Sequence, residues 1–267
     1  MKKCIFFLGI GLFLFFHCTA FAQLVLDKRE IKIEAKPGET VSGSVTVTNR
    51  YKQDVTLKAY CEDFVYEPPY RGFKTVRPLG STPRSFGPWI TLTTPMFIVP
   101  SKDKQEVMYT VKVPQDAKGG YYAVIFFEKG ESALTAEKGV GIREKAGCAL
   151  FLETTNKEKK AKIGNIVVNK DSIEGYFSNS GDCVFVAQGS FYIMDSKGMI
   201  ADRGQIQKYY LPAQAEVLFS VKVSEKVPLG KHTLMINFDT EEGKTLIKEV
   251  DFSKDKSGAL KILAQRD

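Results

Sequence analysis

Short stretches of alternating apolar and polar residues recur along the chain after residue 22. "GSVTVTN" (43–49) and "VTLKAY" (55–60) repeat with a period of two, the period of a β-strand with one buried face. Six further stretches are rich in β-branched or aromatic residues and are bounded by Gly, Pro, Asn or Asp: "VMYTVKV", "YYAVIFF", "ALFLETT", "GNIVVN", "GSFYIM" and "TLMINF". No sustained stripe of helical period is present. The pattern predicts an all-β protein.

One strand–turn–strand pattern occurs twice. "EVMYTVKV" (106–113) and "EVLFSVKV" (216–223) share the frame E-V-x-x-x-V-K-V, and a glycine follows seven residues after the last valine, at Gly120 and Gly230. A glycine at such a place marks a turn before the next strand. The two copies are 110 residues apart, which indicates a repeated domain rather than a repeated hairpin.

The repeat extends upstream of this frame. Pro100 and Pro212 precede it, and Asn49 and Asn179 each end a strand that a polar turn follows. The two asparagines are 130 residues apart, so the first copy contains about twenty extra residues, which fall in 66–89. Turn signals about every 8–12 residues are typical of immunoglobulin-like sandwiches. We therefore predict two tandem immunoglobulin-like β-sandwich domains, the first with a long insertion.

The first 22 residues have the features of a secretory signal peptide. Lys2 and Lys3 precede an apolar run of twelve residues (5–16), and "AFA" before Gln23 fits a cleavage site. The apolar run is shorter than a membrane span of about 20 residues. An uncleaved anchor and lipidation of Cys18 are the alternatives. We predict an exported protein, in the periplasm or at the cell surface, without a stable membrane span.

These features divide the chain into units. The polar, lysine-rich stretch "TTNKEKKAK" (154–162) is the expected linker between the domains. The last fifteen residues are predicted to form a short helix or to stay disordered. The units are the signal peptide (1–22), domain 1 (23–156, with the insertion at 66–89), domain 2 (160–252) and a C-terminal tail (253–267).

Charge and cysteine content argue against two classes of protein. The net charge of +7 falls to +5 without the two lysines of the signal peptide, which is too weak for a nucleic-acid-binding protein. Three cysteines remain, too few for a disulfide framework. Cys61 falls on the predicted third strand and Cys148 on the last, about two strand spacings apart and beyond the reach of a disulfide. We expect buried free thiols.

Residues for catalysis or for a cofactor are scarce. His232 is the only histidine after residue 22, and no G-x-S-x-G motif accompanies it. The cysteines and this histidine do not have the spacing of a zinc site. Glu62 and Asp63 are adjacent on a predicted strand, so their side chains face opposite ways. We predict a protein that is not an enzyme and has no catalytic residues, cofactor or metal. A hydrolase is the third possibility, after the two binding functions described below.

The last strand of domain 1, "VGIREKAGCALFLETT" (140–155), is the predicted binding edge. Its apolar face is interrupted by Glu144, and Arg143 and Lys145 lie on the other face. An open edge can pair with an extended segment of another protein. The alternative is that the strand is simply paired and buried. The apolar face consists of Val140, Ile142, Ala146, Cys148, Leu150 and Leu152.

Three stretches of the chain resemble the PapD-like periplasmic chaperones of pilus assembly. They are "LVLDKREIKIEAKPGETVSGSVTVTN" (24–49), "GIREKAGCALFLETT" (141–155) and "NKDSIEGYFSNSGDCVFV" (169–186). The resemblance implies a boomerang of two immunoglobulin-like domains that holds a subunit along the last strand of domain 1. It also implies a cleft in which an arginine and a lysine hold the subunit's C-terminal carboxylate.

The sequence departs from the family at this cleft. Glu30 stands at the arginine position, with Lys28 and Arg29 beside it, and Ala149 stands at the lysine position. Lys145, four residues earlier, or Arg143 could form a shifted pair with Arg29. The predicted partner-binding residues on these strands are Lys28, Arg29, Arg143, Lys145, Ala149 and Leu150.

The insertion suggests a second kind of site. It carries Arg71, Lys74, Arg77 and Arg84 among Tyr70, Phe73, Phe86 and Trp89, with no acidic residue between Pro68 and Lys102. Arginines among aromatic rings can bind a polymer or a peptide. The alternative is a loop folded over the sandwich with Trp89 in the core. "PGETVSGSVTVTN" and "GGYYAVIFF" also resemble the first extracellular domain of Gram-positive surface proteins that bind peptidoglycan and WxL-type partners.

Two functions follow from the sequence. The first is a periplasmic chaperone or assembly factor that holds an exported subunit, or an extended segment of it, along the last strand of domain 1. The alternative is a module that binds a cell-wall or surface polymer through Arg71 and Lys74.

Overall fold

The computed structural model describes residues 23–130 and 144–267. The predicted signal peptide and Arg143 lie outside these ranges. Eighteen strands and one 3-10 turn (Gly87–Trp89) make up the described part. The strands are β1 (Leu24–Leu26), β2 (Glu30–Ala35), β3 (Thr40–Asn49), β4 (Val55–Tyr66), β5 (Lys74–Arg77), β6 (Ile90–Leu92), β7 (Met96–Val99), β8 (Lys104–Lys112), β9 (Gly120–Lys129), β10 (Lys145–Thr154), β11 (Ala161–Asn169), β12 (Ser172–Asn179), β13 (Phe185–Asp195), β14 (Ile200–Leu211), β15 (Glu216–Lys222), β16 (Gly230–Thr240), β17 (Thr245–Lys254) and β18 (Leu260–Arg266).

Strands β1 to β10 form two facing sheets. One has the order β1-β3-β8-β6, and the other has the order β2-β10-β9-β4, with β5 and β7 both on the outer side of β4. The alternation of the sequence directs every second side chain into the space between the sheets. Val47 and Val111 of the first sheet meet Ile125 and Leu150 of the second there, and all four are buried.

Strands β11 to β18 form a second sandwich. A sheet of order β11-β12-β15 packs on a sheet of order β14-β13-β16-β17-β18. Phenylalanines fill the core, and the rings of Phe177 and Phe238 stack with their centroids 4.3 Å apart. The predicted all-β fold of two tandem immunoglobulin-like sandwiches is confirmed.

The repeated asparagines hold the same turn in both domains. The Asn49 side-chain amide donates to the carbonyls of Gln53, Val99 and Pro100, and its oxygen accepts from the N–H of Tyr51. Asn179 makes the same four bonds with Cys183, Leu211, Pro212 and Gly181. Both asparagines are buried. The paired Asn and Pro positions therefore mark the same hydrogen-bonded turn in both domains.

The three cysteines in the described ranges, Cys61, Cys148 and Cys183, are free thiols. Cys61 on β4 and Cys148 on β10 both lie opposite Ile125 on the intervening strand β9, so two strand spacings separate them as expected. Burial raises the pKa of Cys148 to about 11 and the pKa of Cys183 to about 12. These thiols are protonated at neutral pH and are poor nucleophiles.

The C-terminal residues differ from the expectation of a helix or a disordered tail. Strand β17 continues to Lys254, and β18 pairs with it as an outer strand of the domain 2 sheet. The Gln265 side-chain amide donates to the carbonyl of Ile166 and accepts from its N–H, at 2.8 and 3.1 Å. It fills an irregularity in β11, where the pairing register shifts between Ile163 and Ile166. Sequence pattern did not reveal this strand because five of its seven residues are exposed, and the two half-buried ones, Leu260 and Ile262, are too few to show a strand pattern.

We expect Gln265→Ala to destabilise domain 2 by about 2 kcal/mol, because it leaves the N–H and C=O of Ile166 without their partners. Chemical denaturation followed by circular dichroism measures this change. Leu263→Ala on the same strand, which removes an exposed side chain, is the control and should change stability by less than about 0.5 kcal/mol. Equal effects of the two variants would contradict a role for the amide bonds.

Candidate partner-binding site

Strand β10 is covered on one side along only part of its length. Strand β9 pairs with it from Lys145 to Glu153. On the other side, β2 runs parallel to it and pairs with Ala149–Thr154. Residues 145–148 therefore form an edge with which no described strand pairs.

The main-chain groups on this edge alternate in direction. The carbonyl of Glu144 accepts from the N–H of Lys129 on β9, and the N–H of Ala149 donates to Arg29 before β2. Because alternate residues of a strand direct their main-chain groups to opposite sides, the N–H and C=O of Lys145 and Gly147 face the open edge. Within the described part of the chain, no main-chain partner meets them.

The side chains along this edge are held in place. Cys148 and Leu150 are buried in the domain 1 core. Lys145 lies on the other face, with its ammonium 4.1 Å from the centre of the Phe126 ring and 3.8 Å from a Glu62 carboxylate oxygen. Glu144 accepts hydrogen bonds from the Leu24 N–H and the Tyr51 hydroxyl, which ties the start of β10 to the facing sheet. The edge is thus a short, ordered template.

Two other outer strands, β14 and β18, are less regular. The pairing of β14 with β13 shifts register at two places, and the pairing of β18 with β17 shifts at one. Such bulges protect an edge from pairing with another chain. The pairings of β10 with β9 and β2 are continuous over their whole length. Among these outer strands, β10 offers the better template for a partner strand.

The structure separates the predicted partner-binding residues. The Lys28 ammonium donates to the carbonyl of Ser44 on β3. Arg29 is exposed and has no ion pair among the described residues. Its carbonyl accepts a hydrogen bond from the N–H of Ala149. Leu150 is fully buried, so its side chain does not reach the surface. A shifted pair that includes Arg143 falls outside the described residues.

A cleft lies between the two domains beside β2 and β10. Glu30 and Ala149 are direct neighbours across the β2–β10 pair, so the two positions at which the resemblance implies cations do meet. The cleft has a volume of about 380 Å³. Its lining includes Glu30, Tyr66, Phe151, Val184, Val186 and Tyr210. Sequence analysis missed the aromatic residues, because they belong to two domains that are far apart in the chain.

Lys74 of the insertion lies beside this cleft. Its ammonium lies 3.9 Å from a Glu30 carboxylate oxygen and between 5.6 and 5.8 Å from the ring centres of Phe64, Tyr66 and Phe151. Burial, followed by the Glu30 carboxylate, raises the pKa of Tyr66. The phenol is therefore neutral. The rings of Tyr66, Phe151 and Tyr210 form an aromatic floor, an uncharged part of a lining that also carries five glutamates and two lysines.

Ion pairs join the domains around the cleft. Lys32 on β2 pairs with Glu241 of domain 2 at 3.1 Å. Lys159 of the linker pairs with Glu153 at 3.0 Å and with Glu242 at 3.1 Å. Burial alone would raise the pKa of Glu153, but hydrogen bonds from Lys157 and Lys159 outweigh it and hold the pKa below the ordinary 4.5. Lys159 thus connects β10 to domain 2.

The lowered pKa of Glu153 predicts acid sensitivity. A carboxyl with a lower pKa in the folded state stabilises that state above its unfolded pKa, and this stabilisation is lost as pH falls through the folded pKa. We expect Glu153→Gln to be about 1 kcal/mol less stable than wild type at neutral pH, and the difference to shrink below about pH 4. Urea denaturation across pH measures it. Glu106→Gln, which removes an exposed carboxylate without an ion pair among the described residues, should show no such dependence.

The insertion bridges the two domains. The N–H of Tyr210 on β14 donates to the carbonyl of Tyr70 at 2.8 Å, and the Tyr66 and Tyr210 rings stack with centres 5.4 Å apart. Trp89 packs against the domain 1 core and lies 4.6 Å from the ring of Tyr121. Arg71 is exposed on this bridge. Several of the aromatics considered for polymer binding are therefore used in packing.

The described ranges do not bring together side chains for a metal site or for catalysis by His232. His232 is buried near the start of β16, where its Nε2 lies 2.8 Å from the carbonyl oxygen of Pro228. Residues 23–130 and 144–267 contain no group of three His, Cys, Asp or Glu side chains placed to hold a metal. No helix in these ranges is long and apolar enough to cross a membrane.

Comparison with known proteins shows the fold. The chain is similar to one chain of a chaperone–tip adhesin complex of CFA/I fimbriae biogenesis, with 14% identity, coverage of 85% of this chain and 97% of that chain, and a TM-score of 0.54. It is also similar to CfaA, a class 5 fimbriae chaperone, with 12% identity, coverage of 84% and 97%, and a TM-score of 0.53. No protein-family model and no curated protein sequence matches it. The chain has the PapD-like fold of fimbrial chaperones, as its resemblance predicted.

Proposed function

We propose that the protein is an exported chaperone or assembly factor that holds an extended segment of another exported protein along the edge at residues 145–148. The observation that carries the proposal is the partial cover of β10. Strand β2 stops pairing at Ala149, and the main-chain groups of Lys145 and Gly147 beyond it face outward on a regular strand. A segment that adds here as a strand gains main-chain hydrogen bonds without displacing any described pair.

The surroundings of the edge support this proposal. Glu144 and the β9 pairing hold the edge in a strand conformation before a partner arrives, so little ordering entropy is lost on binding. The similar solved structures include a chaperone of class 5 fimbriae and a chaperone–adhesin complex. Their shared fold makes an extended segment of a fimbrial or other surface subunit the expected partner.

Affinity capture from the native envelope tests the proposal. Residues 23–267, immobilised and exposed to the envelope extract of the source cells, should retain one dominant exported protein at near-equal stoichiometry, identified by mass spectrometry. Retention of wall polymer without a protein partner would contradict the chaperone function. It would support instead the polymer-binding alternative through the exposed Arg71 and Lys74.

We expect Lys145→Pro to weaken capture of this partner at least tenfold. Proline removes the N–H that faces the edge, while the bonds of β10 to β9 come from the alternate residues. Lys145→Ala is the matched control, because it removes the ammonium near Glu62 and Phe126 but keeps the N–H. Quantitative binding to the captured partner measures both. An equal loss in the two variants would indicate that the side chain, not the main chain, binds.

A further inference from the structure

We infer that the interdomain cleft receives an uncharged aromatic or branched side chain near the end of the partner segment, and does not hold a free carboxylate. This inference rests on the proposed function, because it concerns the continuation of the segment that pairs with β10. Three observations carry it: the paired charges of the cleft, its aromatic floor, and its position next to the open edge.

The charges around the cleft neutralise one another. Five lysines face five glutamates, and each lysine has a glutamate oxygen within 3.9 Å. A carboxylate that entered would have to share a lysine with a glutamate that already pairs with it, and would lie close to that like charge. A cation would meet the same obstacle with the opposite sign. The pairs are Lys32–Glu241, Lys74–Glu30, Lys157–Glu34, Lys159–Glu153, Lys159–Glu242 and Lys208–Glu241.

Apart from the ion pairs, most of the lining is apolar. Phe151 of β10 and Tyr210 of β14 line the cleft from opposite domains, and Val184 and Val186 also line it. Phe151 is only half-buried, so part of its ring is available. A volume of about 380 Å³ accepts a large side chain. Burial of such a side chain against these rings is favourable without any new ion pair.

The cleft continues the open edge. Phe151 follows Lys145 by six residues on the same strand, a distance of about 20 Å at about 3.3 Å per residue. A segment paired with Lys145 and Gly147 meets the start of β2 at Glu30 and must leave the sheet edge there. The face of β10 that carries Phe151 is also the face that carries Lys145. The next residues of the segment therefore arrive over the cleft.

Two peptide libraries test the inference. Randomised dodecapeptides, one set with a free C-terminal carboxylate and one with a C-terminal carboxamide, are selected on the immobilised protein (residues 23–267). We expect both sets to enrich to within about twofold of each other, with alternating apolar residues and an aromatic or branched residue at one end. We expect Phe151→Ala to reduce the preference for that end residue about tenfold. Phe73→Ala, which removes a ring that is 80% exposed outside the cleft, should leave it unchanged.

Other outcomes discriminate between the claims. Enrichment of the free-acid set alone, lost in Lys74→Ala or Lys32→Ala, would overturn the inference while leaving strand capture intact. Enrichment without any preference at the end position would also overturn it. Failure of both sets to enrich alternating sequences would overturn the proposed function itself. Thermal unfolding of each variant confirms that it is folded before selection.

Discussion

Replacing Asn49 by alanine should destabilise domain 1 by about 3 kcal/mol and lower its melting temperature by about 10 °C. The side chain is fully buried and satisfies the carbonyls of Gln53 and Val99 and the N–H of Tyr51. Alanine leaves these groups in the core without a partner, and each orphaned group costs about 1–3 kcal/mol. Differential scanning calorimetry measures the change.

The repeat supplies the controls for this experiment. Asn179→Ala removes the equivalent bonds in domain 2 and should destabilise that domain by a similar amount. Asn165→Ala removes an exposed asparagine on β11 and should change stability by less than about 0.5 kcal/mol. If Asn49→Ala changed stability as little as Asn165→Ala, the buried asparagine would not be needed for the stability of each domain.

Asp63→Ala should release the second half of the insertion and cost domain 1 about 3 kcal/mol. The Asp63 carboxylate is fully buried at the end of β4. It accepts hydrogen bonds from the N–H and hydroxyl of Thr82 and from the hydroxyl of Ser85, at 3.1, 3.1 and 2.6 Å. Loss of this acceptor should expose the chain at Arg84 to trypsin, so limited proteolysis combined with denaturation measures both effects.

Glu62→Ala is the matched control for Asp63→Ala. Glu62 is the preceding residue on the same strand, but its carboxylate lies on the other face, 3.8 Å from the Lys145 ammonium. A half-exposed ion pair of this kind contributes at most about 1 kcal/mol. Unchanged cleavage at Arg84 in Asp63→Ala would show that other contacts hold the insertion.

The sequence already indicated that Glu62 and Asp63 face opposite ways, and the structure shows which residues each carboxylate contacts.

Much of the fold was predictable from local pattern. Alternating residues define strands because a strand buries every second side chain, and the repeated Asn and Pro positions marked equivalent turns before their hydrogen bonds were known. The last strand, β18, was not predictable. It is held by pairing with β17 and by the Gln265 amide, and only Leu260 and Ile262 mark its inner face in the sequence.

The candidate site was predictable only in part. The last strand of domain 1 was identified because apolar and charged residues alternate along it. The residue of β10 at which the pairing with β2 ends depends on the register of these two strands. They are more than 100 residues apart, so no local pattern encodes that register. The cleft also depends on long-range contacts, since Tyr66 and Tyr210 meet across two domains. Lys74 was singled out for its charge, and its place beside Glu30 follows from the insertion's path.

Hydrogen exchange at four consecutive amides tests the central claim most directly. In the free protein, the N–H groups of Ala146 and Cys148 bond to β9 and should exchange slowly, whereas those of Lys145 and Gly147 face the open edge and should exchange fast. In the complex with the captured partner, we expect Lys145 and Gly147 to become protected while the other two stay as they are. Fast exchange at Lys145 and Gly147 in the bound protein, with new protection confined to the insertion, would contradict strand pairing on β10.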